Sequence, residues 1–224
     1  MQLIRRDQLS ENFRTILKEF VFEMEIKKSR FITYLVPVES EGEVEEKLKI
    51  IRKEHHKANH HCSAFVIGED FSIQRMSDDG EPSGTAGVPM LEVLKHHQLT
   101  NILAVVVRYF GGIKLGTGGL IRAYGNSVSE ALKEAEIVAN ISQMRISLII
   151  GYPSVDTFNY FLNKTEHPIT ILDTMYTDQV NYQLAVNIES VKTVEEELIS
   201  LFNGQLTWKN VGEDTVYIPI KNKL

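Results

Sequence analysis

"ILAVVVRYFGGIKLGTGGLIRAYG", Ile102–Gly125, sets an apolar run directly ahead of a run of glycines and cations. Its first six residues are apolar on both faces and read as a central strand. From Arg108 to Gly125 there are six of the chain's fourteen glycines, three cations and no acid. Leu120, Tyr124, Val128, Ala131 and Ala135 then recur at helical spacing. The unit is a strand, a glycine loop and a helix. Such a turn points free backbone N–H groups at whatever lies before the helix, and the helix dipole adds about half a positive charge there.

A second loop has the same build. "SDDGEPSGTAG", Ser77–Gly87, follows a hairpin of "CSAFVIG" (Cys62–Gly68) and "FSIQRM" (Phe71–Met76) and leads into a short helix, "VPMLEVLKHH". Together the two loops suit an anion, a phosphate or a carboxylate. Gly84, Thr85, Gly116, Thr117 and Gly118 offer backbone donors. Arg108, Lys114 and Arg122 offer charge, and Tyr109 or Phe110 a ring for a base. Neither familiar phosphate motif is present. No Gly-Lys-Ser/Thr closes a Walker A loop, and Gly116, Gly118 and Gly119 do not make G-x-G-x-x-G. The plain alternative is that these glycines serve tight turns and close packing, with the arginines paired to local acids.

Asp78, Asp79 and Glu81 admit three readings: a solvated turn with helix caps, partners for Arg108 or Lys114, or a holder of Mg²⁺ against a phosphate. They lack the ligand spacing of an EF-hand. Six of the seven histidines come in pairs, His55–His56, His60–His61 and His96–His97. No C-x-x-C and no H-E-x-x-H accompanies them, so no metal site is assigned. If His60 and His61 open a strand they face opposite ways, one into a cleft. Cys62 or Ser83 as nucleophile, with His60 or His61 as base, is the catalytic alternative. No Gly-x-Ser-x-Gly elbow supports it, and no catalytic residue is assigned.

The 224 residues carry a net charge of −6, which argues against bulk attraction to nucleic acid without excluding a local basic site. Residues 1–138 carry 18 Lys+Arg against 20 Asp+Glu, and residues 139–224 carry 6 against 10. The second half is thus the poorer candidate for phosphate. One cysteine excludes an internal disulfide and fits a reducing, cytoplasmic setting. No apolar run suits a signal peptide or a membrane span.

Ahead of the hairpin, Phe20, Phe22, Met24 and Ile26 alternate as a strand with one wet face. "RFITYLVPV" (Arg30–Val38) is its neighbour, and Val44, Leu48, Ile51 and His55 mark a helix. Beyond Asn140 the order is strand "RISLII", helix "SVDTFNYFLNKT", strand "ITILDTMY", strand "VNYQLAVNI", helix "VKTVEEELISLF" and strand "TVYIPI". A βαββαβ order of this length predicts a ferredoxin-like sandwich. The expected organisation is α+β, with an extension at 1–19, a first domain at 20–139 and a second at 140–224.

"KKSRFI" (Lys27–Ile32), "ANHHCSAFVIG" (Ala58–Gly68), "SDDGEPSGTAGVPMLEVL" (Ser77–Leu94) and "VVVRYFGGIKLGTGGLIRAYG" (Val105–Gly125) resemble the IMPACT/YigZ family. The resemblance implies that the first domain has the fold of domain 2 of a ribosomal small-subunit protein and of domain IV of elongation factor G. That fold contains a left-handed crossover. It implies a ferredoxin-like second domain similar to the C-terminal one of the same factor. Eukaryotic members of the family act in translational control. The function expected is non-enzymatic and linked to translation, with RNA, the ribosome or a translation-associated protein as partner, and no cofactor or membrane. An interaction adaptor and a peptidase or phosphate-directed hydrolase are the alternatives.

Overall fold

The computed structural model describes residues 12–220 as a mixed α/β protein with two sheets. It divides into two compact units. One comprises the described residues Phe13–Ala139 together with Pro219 and Ile220, and the other Asn12 with Asn140–Ile218.

The first unit opens with β1 (Phe13–Ile16), β2 (Phe20–Ile26) and β3 (Ser29–Pro37). Helix α1 (Glu41–Glu54) follows, begun by the Ser40 hydroxyl, which accepts from the Glu43 N–H. Then come β4 (His60–Ile67), β5 (Ile73–Ser77), α2 (Gly87–His96), β6 (Ile102–Tyr109) and α3 (Thr117–Glu134). The sheet order is β2-β3-β6-β4-β5, and each neighbouring pair is antiparallel. The apolar run at Ile102 takes the central place, because both its faces need cover.

Alternation along β6 sorts the core. Ile102, Ala104 and Val106 pack with Met90 of α2 and Leu120 and Tyr124 of α3. Leu103, Val105 and Val107 pack with Val44 and Ile51 of α1. The sheet therefore carries α2 and α3 on one face and α1 on the other.

This layering fixes a handedness. β3 and β4 are parallel to each other, joined by α1 across β6, and β5 and β6 are parallel, joined by α2 across β4. Half a turn in the plane of the sheet maps one connection's direction onto the other's, yet their helices cover opposite faces. The two crossovers therefore have opposite hands, and one is left-handed against the general rule.

Residues 12–19 are not an extension. Phe13 and Ile16 are buried, and Arg14 bridges to Leu99 while its carbonyl accepts the Thr100 N–H. The rest of that expected extension lies outside the described residues.

The second unit is built from β7 (Ile137–Ile150), α4 (Val155–Lys164), β8 (Ile169–Tyr176), β9 (Val180–Asn187), α5 (Val191–Leu201) and β10 (Leu206–Pro219). β7 starts well before "RISLII" and runs through Asn140. Its sheet places β10 and β9 beside β7, and β8 beyond β9. That is the order of a ferredoxin-like sandwich. β10 begins at Leu206 and not at Thr215, because Leu206 and Trp208 pack on the core of this unit.

Gly111 is demanded by close approach. A Cβ there would lie 1.9 Å from the Lys28 carbonyl oxygen, in the turn between β2 and β3. Gly111→Ala is expected to lower unfolding free energy by about 3 kcal/mol or more, measured by urea denaturation.

Candidate functional site

The end of β6 and the two glycine loops enclose a groove of about 430 Å³ in the first unit. Its walls include His60, Glu81, Arg108, Phe110, Lys114 and Thr117. A larger, open hollow of about 720 Å³ lies between α4 and α5, lined by Lys164, Glu166, His167, Glu196 and Glu197 among others.

Arg108 forms the floor. Its side chain is 6% exposed and that of Glu81 4%, and its Nη1 donates to Glu81 Oε1 at 2.5 Å. The Tyr124 hydroxyl donates to the same oxygen at 2.7 Å. Arg108 Nη2 reaches Ser29 Oγ at 3.4 Å, and the guanidinium lies over the rings of Phe31 and Phe110. Arg108 Nε is buried without a hydrogen-bond partner. Arg108 is thus a paired cation inside the protein, which corrects its assignment as a free charge for an anion. Burial, with Cys62 and Glu81 close by, raises the Tyr124 hydroxyl pKa.

The three acids go to three places. Asp78 accepts from Gly84 N at 2.8 Å and from Ala86 N and Gly87 N at 2.9 Å each. Thr85 N donates to the Pro82 carbonyl. The donors of Gly84 and Thr85 are therefore spent internally, which removes them from an anion site. Asp79 pairs with Arg52 at 2.7 Å and accepts the His61 N–H at 2.6 Å. Glu81 serves Arg108. Among the described residues no group of three His, Cys, Asp or Glu is arranged to hold a metal ion.

The start of α3 is different. Gly116, at φ 73°, precedes Thr117 with no side chain capping the helix. Gly116, Thr117 and Gly118 are exposed. Lys114 lines the groove, and Arg122 lies within 3.7 Å of where a Gly118 Cβ would stand. Phe110 is 46% exposed at the rim, its N–H held by Asn59 Oδ1 at 2.8 Å. Tyr109 points to the other face, where its hydroxyl meets His55 Nδ1 at 2.9 Å, so it offers no ring to the groove.

The histidine pair splits across the sheet. His60 lines the groove and donates from Nδ1 to the Asp79 carbonyl at 2.9 Å. His61 is buried on the α1 side, and that burial lowers its pKa. Cys62 is fully buried, donates to the Asp78 carbonyl at 3.0 Å, and is pushed up to about 12 by burial, which suits packing and not attack.

Sequence reading missed Asn59, Ser29 and the Lys27–Lys28 turn. That turn takes φ 47° and 65° without a glycine and touches Gly111 beside the groove.

Residues 27–132 match the Impact N-terminal domain, and residues 148–205 match a domain of unknown function, DUF1949. The IMPACT family member YvyE of Bacillus subtilis is 44% identical over 199 residues, 87% of this chain and 88% of that protein. The IMPACT family member YigZ of Escherichia coli is 51% identical over 112 residues, 49% of this chain and 55% of that one. A crystal structure of a hypothetical protein is similar at a TM-score of 0.57 and 34% identity, covering 91% of this chain and 99% of that one. The chain belongs to the IMPACT family. No helix among its described residues is long and apolar enough to cross a membrane.

Burial pulls the Asp78 carboxyl pKa up, but the Gly84, Gly87 and Ala86 N–H groups outweigh it and hold the pKa below its ordinary value. A depressed folded pKa gives stability that is present above the unfolded value and lost as pH falls through the folded one. Urea stability is expected to drop as pH falls below about 4, and Asp78→Asn to remove that component. At neutral pH the same substitution should cost about 1–2 kcal/mol, because an amide keeps one acceptor oxygen for three N–H donors.

Proposed function

We propose that this protein acts in translation or its regulation as a binding protein, holding RNA, free or on the ribosome, by a phosphate seated at the start of α3. One observation carries the reading. Of the two glycine-loop helices, α2 has its N-terminal donors filled by Asp78, while α3 has no side-chain cap and opens on a groove edged by Lys114. An uncapped helix start with cations beside it favours a phosphate. Gly116, Thr117 and Gly118 supply backbone donors in this reading, Lys114 and Arg122 supply charge, and Phe110 supplies a stacking face. The link to translation rests on the family, whose eukaryotic members act in translational control.

Binding of a short single-stranded RNA across a salt series tests the reading. Affinity should fall with salt, and Lys114→Ala with Arg122→Ala should reduce the slope by about 0.7 for each phosphate that is no longer neutralised. A flat salt dependence, or no change in the double variant, overturns it. The exposed Phe110, Ile113 and Ile121 would then favour a protein contact instead. Lys28→Gly relieves a left-handed backbone and should raise unfolding free energy by up to about 1 kcal/mol in urea denaturation.

A further inference from the structure

We propose that the groove reads a ribose hydroxyl beside the phosphate, so that its ligand is a ribonucleotide unit and not the deoxy form. This rests on the phosphate reading of the same groove. A site for a bare anion needs donors alone, and this one also carries acceptors. His60 donates through Nδ1 to the Asp79 carbonyl at 2.9 Å, which leaves Nε2 of the neutral ring as an acceptor. That atom lies 3.7 Å from Glu81 Oε1, and both residues line the groove. Glu81 Oε1 is taken by Arg108 and Tyr124, while no hydrogen bond reaches Oε2 among the described residues.

A carboxylate beside a phosphate site repels a bare phosphate. The arrangement becomes favourable when the ligand brings hydroxyl donors along with its anion. A phosphorylated ribose does so. Its phosphate meets the start of α3 and Lys114, its 2′-hydroxyl shares its one proton between Glu81 Oε2 and His60 Nε2, and its base lies on Phe110. The volume of about 430 Å³ suits a unit of that size. A deoxy sugar leaves an acceptor unpaired, and the 2′-hydroxyl is the group that separates RNA from DNA.

The test compares a short labelled RNA with the DNA of the same sequence by fluorescence anisotropy, using the full chain. RNA should bind about tenfold more tightly, the worth of one hydrogen bond to a charged or well-placed acceptor. His60→Ala should bring the ratio toward one, and Glu81→Gln should do the same. Lys114→Ala should weaken both ligands and keep the ratio. Thermal melts check folding. Should Glu81→Gln fail to fold because Arg108 loses its partner, His60→Ala decides the matter alone. Equal affinity for RNA and DNA, or a ratio untouched by His60→Ala, overturns this inference and leaves the phosphate reading standing. Binding of neither overturns both. Competition by AMP but not by 2′-deoxy-AMP supports the inference with a free nucleotide as ligand. A ribose preference seen only in the oligonucleotides supports it with chain RNA.

Discussion

A guanidinium in the middle of a sheet is the constraint around which the first unit is arranged. Arg108 continues a strand that is apolar on both faces, so its charge is removed from water on the α3 side. An uncompensated ion there would cost several kcal/mol. Glu81 supplies the compensation, and it comes from a loop, so the loop must come to the strand. Tyr124 of α3 and Ser29 of β3 complete the set of partners. One buried pair thereby ties two strands, a glycine loop and a helix into a single corner. The orphan Arg108 Nε marks where that compensation stops short.

The two glycine loops look alike as sequence and behave as opposites. The first brings its own anions. Asp78 fills the donors ahead of α2, and Glu81 neutralises Arg108, so this loop ends without unspent positive potential. The second contains no acid, and α3 begins with nothing of its own to cap it. The difference is composition acting through geometry. Acids at Asp78 and Glu81 fold back onto a helix terminus and a buried cation, while glycine and threonine at 116–118 leave theirs open. The first loop therefore caps a helix and pairs a buried cation, while the second leaves its helix start uncapped.

Much of the fold was open to reading because periodicity survives in the chain. The wet-faced strand at Phe20, the central strand at Ile102 and the βαββαβ order past Asn140 all follow from spacing. The left-handed connection does not, since hand depends on sheet order and on which face each helix covers, and neither is local. At the site, proximity of the loops was legible and the pairing within them was not. Asp78, Asp79 and Glu81 are close neighbours in sequence, yet they turn to α2, to Arg52 and to Arg108. Backbone direction through a turn decides that, and Asp79 at φ 41° is where it changes. Tyr109 could have been placed by alternation, because its neighbour Arg108 occupies the opposite face.

A net charge of −6 and the proposed phosphate site do not conflict. Salt screens exposed charges beyond about 8 Å at physiological ionic strength, so the sum over the chain sets solubility and long-range approach more than contact. At contact the local set governs, which in the proposed site is a helix start, Lys114 and Arg122, with the Glu81 charge offset in part by Arg108. An acidic exterior weakens loose attachment to any polyanion, whereas a uniformly basic surface would bind them all alike. Under the proposed reading, a ligand would therefore be held only where its phosphate reaches the α3 terminus.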